Sequence, residues 1–308
     1  MDQSASSRLI RHLFTCIALQ AFLLWSLARS QQPASFLSID YGSSSPSTYI
    51  DDNGIEWIPD SNLTNEGTSL TVSGQSDPLL ATMRLFDGNQ SKYCYSLTNR
   101  AVETGAFFLV RVGIATGTTT LYTPKDGNFQ FTMIVDATVW RNVSIPYGET
   151  TLWTFDMYTR AQRTSIDFCL ARTTSDGNAP FISVLELRPL PSNLSATLAM
   201  DATNAIANCL GRIDIGVPAD SDINFTRYKF DPLDRLWISM KAQNPVNVNT
   251  TTAAIDVRQV EQLPSRILQT TFMGRRYITW RFSNLEYTGS IRPWIPNLEL
   301  KTAYFAEF

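Results

Sequence analysis

General-base chemistry near neutral pH is most often done by histidine. The chain has one, His12, and it falls in an N-terminal leader, so the body of the protein cannot assemble a Ser/His/Asp or Cys/His arrangement. Carboxylate pairs remain: Asp51 with Asp52, and Asp231 with Asp234, have the residue types that glycoside hydrolysis requires. Both pairs sit among turn formers, where a carboxylate ordinarily accepts hydrogen bonds from loop N–H groups. Arg227, Arg235 and Trp237 lie close to the second pair. An Asp–Arg pair in such a setting fixes a loop through a bidentate bond, with the tryptophan as its cover. No dinucleotide glycine motif, P-loop or EF-hand loop is present, and the cysteines form no CxxC or CxH grouping that would hold zinc. The expectation is a protein that is not an enzyme, without cofactor or metal.

The leader itself carries information. Arg8, Arg11 and His12 precede an apolar run over residues 13–27, and Ala28-Arg29-Ser30 follows as a small-x-small cleavage site. A run of ~15 residues is short for a bilayer span, so residues 1–30 read as a signal peptide. The rest is then secreted or displayed on the extracellular side of the plasma membrane. Six acceptor sequons agree, at Asn62, Asn89, Asn142, Asn193, Asn224 and Asn249. A net charge of −3 with 17% charged residues offers no basic field to nucleic acid or anionic lipid. Beyond the leader stand Cys94, Cys169 and Cys209, an odd number for an oxidising compartment.

The elements that position these residues read as strands. Short runs rich in β-branched and aromatic residues, such as 106–112, 129–135, 165–170 and 181–187, are separated by turn formers at Asp52-Asn-Gly54, Asp87-Gly88, Asp126-Gly127 and Asp176-Gly177. The fold class is all-β, built as sandwiches. Only residues 194–210 resemble a helix or connector. Arg188-Pro-Leu-Pro191 marks a domain edge, because two prolines deny donors to a continuing strand. This gives a first sandwich over 31–191, a connector over 192–211 and a second sandwich over 212–308. The second reads as incomplete, since the sequence stops within a strand-like run, and a chain ending near Pro191 is then expected to behave better than the whole.

Several stretches, in order and spacing, resemble the malectin-like ectodomains of plant receptor-like kinases, particularly those with leucine-rich repeats. They are residues 36–42 (FLSIDYG), 49–57 (YIDDNGIEW) followed by Asp60, 92–97 (KYCYSL), 168–170 (FCL), 180–189 (PFISVLELRP) and 227–237 (RYKFDPLDRLW). The resemblance covers the whole mature chain. It implies tandem jelly-roll β-sandwiches, an extracellular position, and a cell-wall glycan, a peptide or a co-receptor as ligand. The alternative is a stand-alone secreted carbohydrate-binding lectin.

Animal malectin, a di-glucose binder, uses aromatics and an aspartate on loops at one end of its sandwich. The nearest matches are Trp57, Tyr93, Tyr95 and Asp176, which are thereby expected to gather as a ligand-binding site. Against this, period-two alternation puts Tyr93 and Tyr95 on one strand face, where tyrosines also serve as core. Tyr41 stands where the family usually has cysteine, so its pairing pattern does not transfer. Cys94 with Cys169 is the nearest pairing that remains, with Cys209 left over.

Overall fold

The computed structural model describes residues 32–75, 77–116, 123–124, 126–148, 152–173, 178–197, 206–209, 211–241, 247–252, 263–273, 292–294 and 305–307. Residues 1–30, read as a signal peptide, and Asp176 lie outside these residues.

The first module is a β-sandwich. Its strands are β1 (Leu37–Asp40), β2 (Tyr49–Ile50), β3 (Glu56–Pro59), β4 (Thr68–Thr71), β5 (Thr82–Leu85), β6 (Lys92–Leu97), β7 (Phe107–Ala115), β8 (Asn128–Val135), β9 (Thr138–Pro146), β10 (Leu152–Arg160), β11 (Ile166–Arg172), β12 (Phe181–Ile182) and β13 (Val184–Leu190). The stretch read as a connector supplies a short helix, Ser192–Thr197, and β14 (Ile206–Cys209). One sheet has the order β14-β10-β7-β13-β1-β3-β2, another β6-β11-β8-β9, and a third β12-β5-β4. The first and largest carries both the core and the site.

Alternation explains the core. Phe108, Val110, Val112 and Ile114 of β7, Phe155 and Met157 of β10, and Leu185 and Leu187 of β13 point inward. There they meet Phe129, Phe131 and Met133 of β8 and Phe168 and Leu170 of β11. On β6 the pattern is strictly two-fold, with Tyr93, Tyr95 and Leu97 buried and the residues between them exposed. Cys94 and Cys169 stand opposite each other across β6 and β11 and form a disulfide, while Cys209 is buried and takes part in no disulfide among the described residues. Gly42 is required after β1: its φ is +75°, and an added Cβ would lie 2.2 Å from the Met83 carbonyl oxygen. The Gly42 N–H donates to Asp60, whose carboxylate also holds the buried Arg84 of β5.

All nine residues of β7 are buried, although only alternate ones face the sandwich interior. The other face of the large sheet is therefore covered too. Phe107 and Leu109 of β7, Tyr158 of β10 and Leu190 of β13 pack there with Leu194, Cys209 and Leu233. The cover comes from Leu194 of the short helix and from Leu233 of the second module, whose strands include β15 (Ile213–Val217), β16 (Phe225–Thr226), β17 (Trp237–Lys241), β18 (Asn247–Thr250) and β19 (Thr270–Met273). β15 and β16 flank β17, and β18 pairs with β19. Here Trp237 packs on Leu263 and Ile267.

These contacts change what a shortened chain should do. Ending at Pro191 removes β14, Arg212 and Leu233, and uncovers Phe107, Leu109, Tyr158 and a row of charged groups on the sheet. Exposing two or three large apolar side chains costs roughly 1.5–3 kcal/mol each. Residues 32–191 alone should thus melt lower and aggregate more readily than the whole chain, measured by thermal unfolding and light scattering. A shorter chain with equal or better stability would contradict the covering role of the second module.

Candidate functional site

The outer face of the large sheet carries a transverse row of polar residues set by strand register. Cys209 of β14 stands opposite Asp156 of β10, Asp156 opposite Arg111 of β7, Arg111 opposite Glu186 of β13, and Glu186 opposite Ser38 of β1. Residues paired in this way share a face. Arg111 donates to both Asp156 oxygens, at 2.8 and 3.0 Å, and reaches Glu186 Oε2 at 3.5 Å. Arg188, two residues along β13, donates to Glu186 and, at 3.0 Å, to Ser38 Oγ.

The second module completes the row. Arg212, just before β15, donates to Asp156 at 2.8 Å and to the Tyr158 hydroxyl. Asp234, in the loop between β16 and β17, accepts from Arg188 Nε at 2.7 Å and from Arg227 at 2.6 and 2.8 Å. Arg227 also donates to Glu186 at 2.5 Å. Four arginines thus meet three carboxylates across the module boundary. Burial works to raise the Asp156 carboxyl, but the charges of Arg111 and Arg212 more than offset it and hold it below the usual carboxylate range. Burial likewise works against Asp234, and Arg227 and Arg188 hold it well below that range.

A neighbouring set fixes the loop that presents Asp234. Asp231 accepts from Arg235 Nε and from Trp237 Nε1, each at 2.8 Å, and from the Leu233 N–H at 2.9 Å. Arg235 lies over the Trp237 ring, 5.4 Å from its centroid. This is the loop-fixing bidentate arrangement read from the sequence, and it extends to Asp234 in the form of a contact between modules. Asp51 plays a similar part in the turn before β3. Its carboxylate accepts from the Asn53 and Ile55 N–H groups at 2.9 Å and from Trp57 Nε1 at 3.0 Å.

Beside the row the two modules leave a cleft of about 320 Å³. Arg111, Glu186 and Arg227 form its charged floor. Its walls combine the polar Asp51, Asn53, Asp77 and Asn224 with apolar residues, of which Leu152 at the start of β10, Phe225 of β16 and Ile238 of β17 are among the exposed large hydrophobic residues of the protein. Phe225 and Ile238 are 52% and 53% exposed and stand opposite each other in register. Water-facing apolar side chains gathered at one cleft, above satisfied charges, form a surface suited to an apolar ligand segment.

Of the residues anticipated as a ligand site, the structure brings only Trp57 to this cleft. Its ring is 1% exposed and packs with Ile55 and Val184, so it forms the base of the wall and offers no face for stacking. Tyr93 and Tyr95 lie in the core, against Phe86 at 4.9 and 5.9 Å between ring centroids, with Tyr41 also against Tyr95 at 5.4 Å. Their place is between the sheets because β6 turns that face inward. The gathering of these aromatics at one end of the sandwich is therefore corrected: Trp57 belongs to a different apolar cluster from Tyr93 and Tyr95.

The architecture defined so far is an all-β pair of modules with a cleft between them and a buried ionic seam. The Malectin-like domain family model matches residues 39–307, and the chain belongs to that family. Among its relatives in Arabidopsis thaliana, the probable LRR receptor-like serine/threonine-protein kinase At1g67720 is 28% identical over 95% of this chain and 30% of its own length. The LRR receptor-like serine/threonine-protein kinase IOS1 is 27% identical over 77% of this chain and 25% of its own. The chain thus spans less than a third of these relatives. The fold is shared with the ANXUR1 extracellular domain of Arabidopsis thaliana, at TM-score 0.53 and 15% identity over 76% of this chain and 64% of that one. It is shared also with a chain from a crystal structure of plant peptide RALF23 in complex with FER and LLG2, at TM-score 0.51 and 13% identity over 74% of this chain and 60% of that one. No helix among the described residues is long and apolar enough to cross a membrane.

The seam gives a pH dependence with two signs. Asp234 and Asp156, with folded pKa values below the unfolded value of ~3.9, contribute stability that is present above that value and lost as pH falls below it. Asp214 of β15 behaves oppositely: burial, partly offset by Arg266 and Thr270, raises its carboxyl to about 6. Its folded form binds the proton first, so stability rises as pH falls from above 6 toward ~4. Chemical denaturation should show a stability maximum between these limits. Asp214→Asn should flatten the neutral side. Asp234→Asn should lower stability by roughly 3–5 kcal/mol at pH 7, since it leaves buried arginines uncompensated, and should weaken the acid-side slope. A neutral-side slope unchanged by Asp214→Asn, or an acid-side slope unchanged by Asp234→Asn, would contradict these assignments.

Proposed function

We propose that this chain is the ligand-binding ectodomain of a receptor-like kinase, or part of one. It stands on the extracellular side of the plasma membrane and takes a peptide or a segment of a co-receptor into the cleft between its modules. The observation that carries this reading is the cleft itself, with exposed Leu152, Phe225 and Ile238 above a floor of paired charges. The ligand class follows from the lining. A deep sugar site is held by an exposed aromatic face flanked by several directed polar groups; here Trp57 is buried, and the exposed Phe225 stands beside the aliphatic Leu152 and Ile238. An extended peptide instead places an apolar side chain on such a wall. Family membership and the fold shared with a chain from a complex of plant peptide RALF23 with FER and LLG2 support a binding role over a catalytic one.

The second reading, a cell-wall glycan, keeps Trp57 and Asp176 as contacts; for the buried Trp57 this requires a change of loop conformation that exposes its ring. A displayed peptide library and a glycan array separate the two, applied to the secreted chain and to Leu152→Arg and Ile238→Arg. Both side chains are exposed, so both variants should keep the wild-type melting temperature. Peptides enriched on the wild type should bind Leu152→Arg at least ~10-fold more weakly, the usual scale for losing an apolar anchor. Binders insensitive to both substitutions, or capture of glycans alone, would overturn the peptide reading.

A further inference from the structure

The sequon Asn224-Phe225-Thr226 lies on the cleft wall. Asn224 is exposed, lines the cleft, and accepts from the Ser239 N–H through its backbone carbonyl at 3.0 Å, which leaves its side chain outside the sheet ladder. Phe225 and its partner Ile238 stand beside it, each about half exposed. β16 is an edge strand of its three-stranded sheet, and such an edge gains from cover.

Thr226 supplies the independent observation. Its side chain is 1% exposed, and its hydroxyl has no hydrogen-bond partner among the described residues. A buried hydroxyl without a partner is a cost to the folded state that an isosteric valine would not incur. The hydroxyl serves nothing that the folded protein shows. It does supply the third position of an acceptor sequon, which is read on the chain before this strand is buried.

We propose that Asn224 carries an N-glycan whose first sugars lie over Phe225 and Ile238, covering one wall of the inter-module cleft and narrowing what can enter it. An N-acetylglucosamine ring has an apolar face that packs on aromatic and aliphatic surface while its hydroxyl edges stay in water. The tether is one residue from Phe225, so the covering sugars need no long reach. The consequence for ligands rests on the cleft being the binding site; the covering itself does not.

The test uses the whole chain secreted from a eukaryotic host as wild type, Asn224→Gln, Thr226→Val and Thr226→Ser. The first two variants remove the sequon by different atoms, and the last keeps it. Glycopeptide mass spectrometry should find Asn224 modified in wild type and Thr226→Ser and unmodified in the other two. The fluorescence of an anilinonaphthalene sulfonate probe, which reports exposed apolar surface, should be about twofold higher for Asn224→Gln and Thr226→Val than for the glycosylated pair. Thr226→Val should melt no lower than Asn224→Gln, which lacks the same glycan. The proposal is overturned if Asn224 is unmodified in the wild type or if the probe responds equally to all four proteins. It is overturned also if Thr226→Val melts lower than Asn224→Gln, which would give the hydroxyl a structural role. No ligand is added in any arm, so these outcomes are separate from the failure of the peptide reading, which shows in binding to Leu152→Arg.

Discussion

The buried ion row between the modules is the constraint on which the rest depends. A sheet buried on both faces would ordinarily be apolar on both, yet this one carries Arg111, Asp156, Glu186 and Arg188 at the middle of its outer face. Such groups cannot be left dry without partners. Arg212, Arg227 and Asp234 supply them from the other module. Buried ion pairs add little net stability over a hydrophobic seam of the same shape, because desolvation offsets the attraction. They are more demanding of geometry. Bidentate arginine contacts hold only in one relative placement of the two modules, whereas a greasy seam would accept several. Orientation is thus the property that the row secures.

A fixed orientation is also what keeps the cleft open. Arg111, Glu186 and Arg227 belong both to the row and to the floor of the cleft, so the charges that join the modules also stop them from closing over Leu152, Phe225 and Ile238. Trp57 and Asp51 set the opposite wall through the turn before β3. A ligand entering here meets satisfied charges below and exposed hydrocarbon at the sides, which favours shape and apolar contact over ion pairing as the source of affinity.

Much of this was legible in the sequence. Alternation on β6 and β8 gave strands, and the Asp231, Arg235 and Trp237 spacing announced a fixed loop, because those partners lie within a few residues of one another. The residues 194–210 were harder, since a helix propensity in the alanines competed with β14, which is a strand only because Tyr158 and Leu109 give Cys209 and its neighbours a surface to pair and pack on. The row itself was missed. Its members lie on β7, β10 and β13, just before β15 and in the loop between β16 and β17, far apart in sequence, and only register and packing bring them together. The available signal was a charged residue in the middle of an otherwise apolar strand, as with Arg111 in FFLVRVGIA and Asp156 in LWTFDMYTR. The aromatic site drawn from Tyr93 and Tyr95 failed for the converse reason: aromatic residues fill sandwich cores as readily as they bind ligands, and sequence does not say which way a strand faces.

The central claim is that the ionic seam makes the two modules one cooperative unit. Differential scanning calorimetry of the whole chain at pH 5.5 tests it most directly, because an interface that couples two units merges their transitions. The account predicts a single transition with equal calorimetric and van't Hoff enthalpies. It predicts two separated transitions for Arg227→Ala, which removes the arginine that ties Asp234 to Glu186. Two transitions already in the wild type, or one undivided transition in Arg227→Ala at the wild-type temperature, would contradict it.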